Sequence, residues 1–325
     1  MKHVIFGSGP LGRAVLNQLL ERKEPVRVVN RSGVMQGIPS SVEVVKADAY
    51  DVDSAKRAAA GASVIYNCAA PEYSVKAWQT QLPLLWGNIA QSAAQHKAKL
   101  VIGDNLYVYD QADANNIRED RPMHSTAGKG KARIAVTEQM LELHRTGQVE
   151  IAFVRGADFY GPHGTDQSQF GSRMIPPLLR HQAAQVIGPS NAPHSITYLP
   201  DFGRALVMVA QRDDAFGQAW HVPNAPARSR LEVMTMLAAI IGAPLKIQAM
   251  GKPMISVLGL FIPILREVAE MGYQFEKPYI VNHDKFVAAF GDIHTPLETA
   301  LERTVEWFKT VETNHSSDKR SKIAG

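Results

Sequence analysis

One cysteine, Cys68, is present among 325 residues. The chain can therefore build no intramolecular disulfide and no cysteine-ligated zinc centre, which suits a reducing compartment. Long apolar runs are also missing. The longest, MISVLGLFIPIL at 254–265, is too short and too proline-interrupted to span a bilayer. Met1-Lys2-His3 runs straight into the apolar Val4-Ile5-Phe6, with no signal peptide ahead of the fold, and a cytoplasmic location is expected. No large excess of either charge is present. The net charge of +4 is far from the clustered basicity of a nucleic-acid binder. No histidine–carboxylate cluster has metal-ligand spacing, and the GxSxG of a nucleophile elbow is absent. What remains, 45% apolar and 20% charged residues, is the composition of a soluble globular protein. Its length suffices for one large or two ordinary domains.

Short β-branched runs alternate with helix-like stretches through the first half. VIF at 4–6, VRVV at 26–29, VEVV at 42–45, SVIYN at 63–67, LVIG at 100–103 and IAFV at 151–154 read as strands. LGRAVLNQLLERK and QLPLLWGNIAQSAAQHK carry apolar residues at helical spacing between them. This alternation predicts a Rossmann-type, doubly wound parallel α/β sheet. Beyond residue 165 prolines accumulate (Pro176, Pro177, Pro189, Pro193), and RLEVMTMLAAIIG at 230–242 reads as a later helix. The expected division is a dinucleotide domain at 1–165 plus 196–222 and a smaller substrate-side domain at 166–195 and 223–312. Residues 313–325 have almost nothing to bury and are expected to be disordered.

VIFGSGPLGRAVL places Gly7, Gly9 and Gly12 directly after the first strand, with Ser8, Pro10 and Leu11 between them. Such a loop turns tightly, admits a pyrophosphate and presents the free N–H groups of a helix start. In this strand–loop–helix setting the glycine pattern predicts dinucleotide binding. An adenosine 2′-hydroxyl is normally held by an acid about 20 residues further on. Here the second strand ends in Asn30, Arg31 and Ser32. Arg31 offers a fork for a 2′-phosphate and Ser32 a hydroxyl, so NADP(H) is expected ahead of NAD. A solvated turn arginine is the alternative. Asp48 could accept from the adenine amino group, and Ala69 and Ala70 in NCAAP would let the coenzyme approach the backbone; both could equally be ordinary loop residues.

VRGADFYGPHG at 154–164, ITYLPDFGRALVMVA at 196–210 with Asp201, and the C-terminal IHTPLETALERTVEWFK add three further matches. With them the chain resembles the extended short-chain dehydrogenase/reductases, the NAD-dependent epimerase/dehydratase branch. Gly156 stands where that family has proline. The resemblance implies a hydroxyl residue after the fifth strand, then Tyr-x-x-x-Lys on the next helix. Aligned on Val108-Tyr109, the hydroxyl position falls on Asn105. The best match to the helix motif is Lys129-Gly-Lys-Ala-Arg133, in TAGKGKARIAVTE at 126–138. No tyrosine lies between Asp110 and Phe159. A Walker loop is excluded, because Ser125 and Ala132 stand where that motif needs glycine and Ser or Thr.

The expected chemistry is NADP(H)-dependent oxidation–reduction, or epimerase-like chemistry, at a carbonyl or hydroxyl carbon. Asn105 would bind the substrate oxygen, Lys129 would supply the proton, and Arg133 would hold the nicotinamide ribose. Tyr107 and Tyr160 are alternative proton donors. Arg173, His181 and His194 could meet an anion or simply be exposed. GLFIPILREVAEMGYQF could form an apolar wall, core packing or a dimer contact. The substrate would be a small molecule: the resemblance implies a sugar nucleotide, and the apolar stretch fits an apolar carbonyl compound. The resemblance also implies a homodimer. The alternative reading is an NADP(H)-binding sensor that has lost its chemistry.

Overall fold

All six β-branched runs become strands of one parallel sheet in the computed structural model, which describes residues 2–109, 114–187, 191–250, 267 and 277–323. They are β1 (His3–Phe6), β2 (Val26–Asn30), β3 (Glu43–Lys46), β4 (Val64–Asn67), β5 (Lys99–Asn105) and β6 (Ile151–Gly156). Four further strands follow in the chain: β7 (Asp158–Tyr160), β8 (Ala184–Ile187), β9 (Pro193–His194) and β10 (Ile196–Tyr198). After them come β11 (Ala219–His221), β12 (Arg228–Ser229) and β13 (Ile247–Met250). The sheet order is β3-β2-β1-β4-β5-β6-β11, every pair parallel. The order reverses between β1 and β4, and a crevice outside the carboxyl ends of the strands is where such sheets bind ligands.

Crossover helices cover both faces. They are α1 (Pro10–Glu21), α2 (Val52–Ala58), α3 (Val75–His96), α4 (Gly128–Arg145) and α6 (Leu199–Ala210), while α5 (Ile175–Leu179) and α7 (Arg230–Ile241) pack in a separate core. Among the described residues α8 (Asp284–Phe290) and α9 (Leu297–Ile323) complete the chain. Because side chains alternate across a strand, Val4 and Phe6 enter one core with Trp78, Trp86 and Ile89 of α3 and Val136 of α4. Ile5, between them, enters the opposite core with Val15 and Leu19 of α1 and Phe202 and Leu206 of α6.

The chain divides into two units. The first comprises Met1–Ala157, Pro200–Pro223 and Val281–Ile293, and holds the seven-stranded sheet. The second comprises Asp158–Leu199, Asn224–Ile280 and His294–Gly325. Its core joins Ile175 and Leu178 of α5, Val233 and Leu237 of α7, and Leu301, Val305 and Phe308 of α9.

Two features differ from the sequence expectation. Val281–Ile293 returns to the first unit, because Phe286 is fully buried against Trp220 of β11 and Phe290. The tail continues α9 to Ile323. No glycine or proline interrupts 297–323, so a helix anchored at its buried first half propagates at little further cost. Pro189 and, apart from Glu267, the apolar stretch at 259–275 lie outside the described residues. No described helix is long and apolar enough to cross a membrane.

Phe286→Ala should lower unfolding stability by about 3–5 kcal/mol in urea titration. A loss under about 1 kcal/mol would mean that this segment does not complete the sheet's core.

Candidate active site

Gly7 follows β1 with φ +102°, a region closed to side chains. A Cβ at Gly12 would stand 2.0 Å from the Gly7 carbonyl oxygen, so α1 rests directly on the turn. Gly9 faces open space, with nothing within 4 Å of a Cβ built on it. Pro10 occupies the first turn, no side chain caps the helix and no acid lies in that turn. Free N–H groups and the positive end of the helix dipole therefore remain for an anion. Leu11 lies over Gly103 of β5, its Cδ2 2.4 Å from where a Cβ would be.

At the end of β2 the Asn30 side chain is fully engaged by its own loop. Its Nδ2 donates to Ser8 Oγ (3.0 Å) and the Val34 carbonyl (3.0 Å), while Oδ1 accepts from Gly33 N–H (2.7 Å) and Ser32 Oγ (3.0 Å). Arg31 and Ser32 are exposed beside it. Burial raises the Tyr50 phenol above its ordinary range, and the neighbouring Arg31 charge pulls the other way. Asp48 is exposed and accepts from Tyr50 N–H at 3.0 Å. Arg13, one turn into α1, donates to the Gln36 carbonyl (2.7 Å) and the Gly37 carbonyl (3.3 Å). It pins the far side of the same loop.

The ends of β4 and β5 carry a second cluster. Asn67, 1% exposed, accepts from Ala69 N–H through Oδ1 (3.2 Å), and its buried Nδ2 has no hydrogen-bond partner. Ala69 is half-buried and Ala70 exposed. Asn105 closes β5 and accepts from Tyr107 N–H at 3.1 Å. The Tyr107 hydroxyl lies 3.0 Å from that of Tyr73, and Trp78 stacks on the Tyr107 ring (5.6 Å, 22°) while meeting Tyr73 edge-on. Lys129, in the first turn of α4, is fully buried, its Nζ 4.7 Å from the Tyr73 ring centroid. Tyr160, the other tyrosine considered, lies in the second unit's core against Phe170 and Tyr198.

Arg133 is one turn along α4. Its guanidinium is 4.4 Å from the Trp78 ring and 4.9 Å from that of Trp86, and 3.2 Å from Asp104 Oδ1. Burial lowers its pKa below the ordinary arginine value, against the attraction of Asp104. The same carboxylate accepts from Arg155 Nε at 3.0 Å. Arg155 donates onward to the Tyr109 hydroxyl (2.7 Å), which lies 3.3 Å from His221 Nε2. His221 Nδ1 donates to the Asn282 carbonyl at 2.9 Å, which leaves Nε2 as the acceptor for Tyr109. Burial first, then Arg155, lowers the His221 pKa to about 3.

The structure thus brings Gly7, Ser8, Gly9, Pro10, Leu11, Gly12, Asn30, Arg31 and Ser32 to the carboxyl ends of β1 and β2, with Asn105 at the end of β5 and Lys129 in the first turn of α4. Tyr73, Trp78 and Asn67 are not singled out by the sequence. Tyr73 sits in a loop whose fold no period encodes, and only the aromatic pair Tyr73…Trp78 beside NCAAP hints at it. In the second unit, His194 and Asp158 lie 3.1 Å apart, with His194 stacked on Tyr279. Arg173 donates to the Asp166 carbonyl (3.4 Å), and His181 is exposed. No described residues form a metal-binding group.

An open helix start after a tight glycine turn, on a doubly wound parallel sheet, defines a dinucleotide-binding α/β protein. Residues 4–222 match the NAD dependent epimerase/dehydratase family, and the chain belongs to that family of enzymes. UDP-glucuronic acid 4-epimerase from Bacillus cereus, in complex with NAD, is similar at 17% identity and TM-score 0.77, over 96% of this chain and 97% of that one. A dTDP-glucose 4,6-dehydratase from Streptomyces venezuelae shares 16% identity at TM-score 0.79, over 95% and 97%. The UDP-glucose 4-epimerase of Thermus thermophilus, in complex with NAD, shares 15% at TM-score 0.75, over 95% and 99%. No curated protein matches the chain.

Gly9→Val should melt like the wild type, because its Cβ meets nothing, yet should lose dinucleotide affinity in calorimetry. Gly12→Ala should lower the melting temperature itself. Equal melting of both variants would remove the packing argument. For His221 the folded pKa lies below the ordinary 6.5. As pH falls from about 6.5 towards 3, the unfolded chain binds a proton that the folded chain refuses, and stability is lost at up to about 1.4 kcal/mol per unit. His221→Asn should flatten the stability profile between pH 6.5 and 4 by about that slope, read by urea denaturation at each pH.

Proposed function

We propose that the chain is an oxidoreductase or epimerase-like enzyme that uses NADP(H) on a carbonyl or hydroxyl carbon of a small molecule. The observation that carries the coenzyme choice is the end of β2. No carboxylate stands there to hold a 2′-hydroxyl, Asn30 is consumed by its own loop, and Arg31 and Ser32 stand exposed. A 2′-phosphate would accept from Arg31, and from Ser32 once its O–H turns from Asn30 Oδ1, whereas a 2′-hydroxyl finds no carboxylate here to accept from it.

The remaining contacts fit a dinucleotide. The open face of Gly9 and the uncapped start of α1 would take the pyrophosphate. Tyr50 and Asp48 border the adenine side, and Asn67 Nδ2, buried without a partner, would donate to the coenzyme near Ala69 and Ala70. The nicotinamide supplies hydride transfer when bound. Asn105 uses its carbonyl on Tyr107 N–H and keeps its NH2 group for the substrate oxygen. Lys129 places a buried positive charge beside the aromatic pair, and Arg133, held by Asp104 and two indoles, fixes the first turns of α4 against α3.

A sugar nucleotide is one substrate class for this reading, as named for the similar epimerases and dehydratase; an apolar carbonyl compound is the other. A homodimer through α3 and α4, in a cytoplasmic setting, completes it. A second reading, an NADP(H) sensor without turnover, is favoured by one observation. The first turn of α4 bears glycines at 128 and 130 and no tyrosine.

Calorimetry should give tighter binding for NADPH than for NADH. Arg31→Ala should weaken NADPH by about 10–100-fold, the worth of a charged hydrogen-bonded contact, and NADH by less than about threefold. Equal losses would reverse the coenzyme assignment.

A further inference from the structure

Resting on the oxidoreductase reading, we propose that the Tyr73–Tyr107 hydroxyl pair is the proton source of this site, with Tyr107 as the catalytic acid and Tyr73 as its relay to solvent.

The family's tyrosine would arise from the helix after the fifth strand, and α4 carries none. What the fold places at the same crevice end is a pair of phenols drawn from two loops, Tyr73 after β4 and Tyr107 after β5, 3.0 Å apart. Three contacts hold them. Asn105 Oδ1 accepts the Tyr107 N–H, so one turn presents both the Asn105 amide and the Tyr107 phenol. Trp78 stacks on Tyr107 and meets Tyr73 with its edge. Lys129 lies over the Tyr73 ring at 4.7 Å.

The close start of α4 fixes the turn that carries Tyr107. A Cβ at Gly130 would lie 2.5 Å from the Tyr107 carbonyl oxygen and 1.9 Å from Ser125 Oγ. The helix therefore admits no side chain at 130. Ser125 and the Tyr107 carbonyl fill that space, so α4 packs directly on the turn from which the phenol projects.

In reduction the carbonyl carbon gains a hydride from the coenzyme, and its oxygen takes the proton from Tyr107 Oη as the carbon–oxygen π bond breaks. Tyr107 Oη recovers a proton from Tyr73 Oη across the hydroxyl pair. The negative charge ends on Tyr73, whose ring faces the Lys129 ammonium, and a charge-rich ring attracts a cation more strongly than a neutral phenol does. Tyr73 is half-buried, and water restores its proton. Oxidation of an alcohol runs the same path backwards. Lys129 acts in this scheme as a positioning and charge-balancing residue, not as the acid.

The test compares wild type with Tyr107→Phe, Tyr73→Phe and Lys129→Arg in three measurements. These are NADPH affinity by calorimetry, turnover, and tyrosine 13Cζ NMR. Turnover uses benzaldehyde, cyclohexanone and pyruvate with NADPH, and UDP-glucose and dTDP-glucose with NADP+. Tyr107→Phe should lower kcat by about 100-fold or more, with NADPH affinity within about twofold. Tyr73→Phe should lower kcat by about 10-fold and move the Tyr107 13Cζ resonance, and Lys129→Arg should keep most of the rate. Wild-type turnover with Tyr107→Phe within about threefold of it overturns the assignment and leaves the oxidoreductase reading standing. NADPH binding without turnover of any probe overturns both and favours the sensor. An unmoved Tyr107 resonance in Tyr73→Phe removes the relay.

Discussion

The contact between Gly12 and the Gly7 carbonyl sets the geometry of everything around the crevice. With no room for even one carbon between them, α1 begins at the tip of β1, and its unpaired N–H groups open where the strand order reverses. A longer turn would carry the helix start away from that point. The ends of β4 and β5, which bear Asn67 and Asn105, could then no longer face the same ligand as Gly9. Leu11 on Gly103 ties the turn to β5 directly, so the glycine turn and the end of β5 share one rigid support.

A second constraint is electrostatic. Asp104 is buried between Arg133 and Arg155, and the buried Lys129 adds a third cation one turn before Arg133 on α4. Buried charges of one sign are costly unless delocalised or paired. The fold meets that cost with aromatic faces: Trp78 and Trp86 on Arg133, Tyr109 and Phe153 on Arg155, Tyr73 on Lys129. These rings leave a positive region behind the crevice, a setting that favours anionic ligands and developing negative charge alike.

The sheet was legible because each strand is a β-branched run bounded by turn residues, and the glycine turn because its spacing reflects steric necessity. β11 was not, since Ala219–His221 is a short segment with no alternation to mark it. The aromatic supports of the site escaped for another reason. Trp78 reads as an ordinary apolar position on α3, and its role arises only when α3 packs on α4 and the loop after β5. Helical spacing alone puts Lys129 and Arg133 on one face; which partners that face would meet depends on contacts from residues some fifty positions away.

Two glycines near the site are held to their size by packing. Gly156 leaves space that the Phe202 ring of α6 fills, with a Cβ there only 2.6 Å from the ring. Gly130 leaves space that Ser125 and the Tyr107 carbonyl fill. In each case a neighbour occupies the volume that a side chain would need, as close-packed interiors require. A side chain at 130 would therefore collide with Ser125 and with the backbone that carries Tyr107. The start of α4 and the turn that carries Asn105 and Tyr107 thus form one packed corner, and a change on either side has to be accommodated by the other.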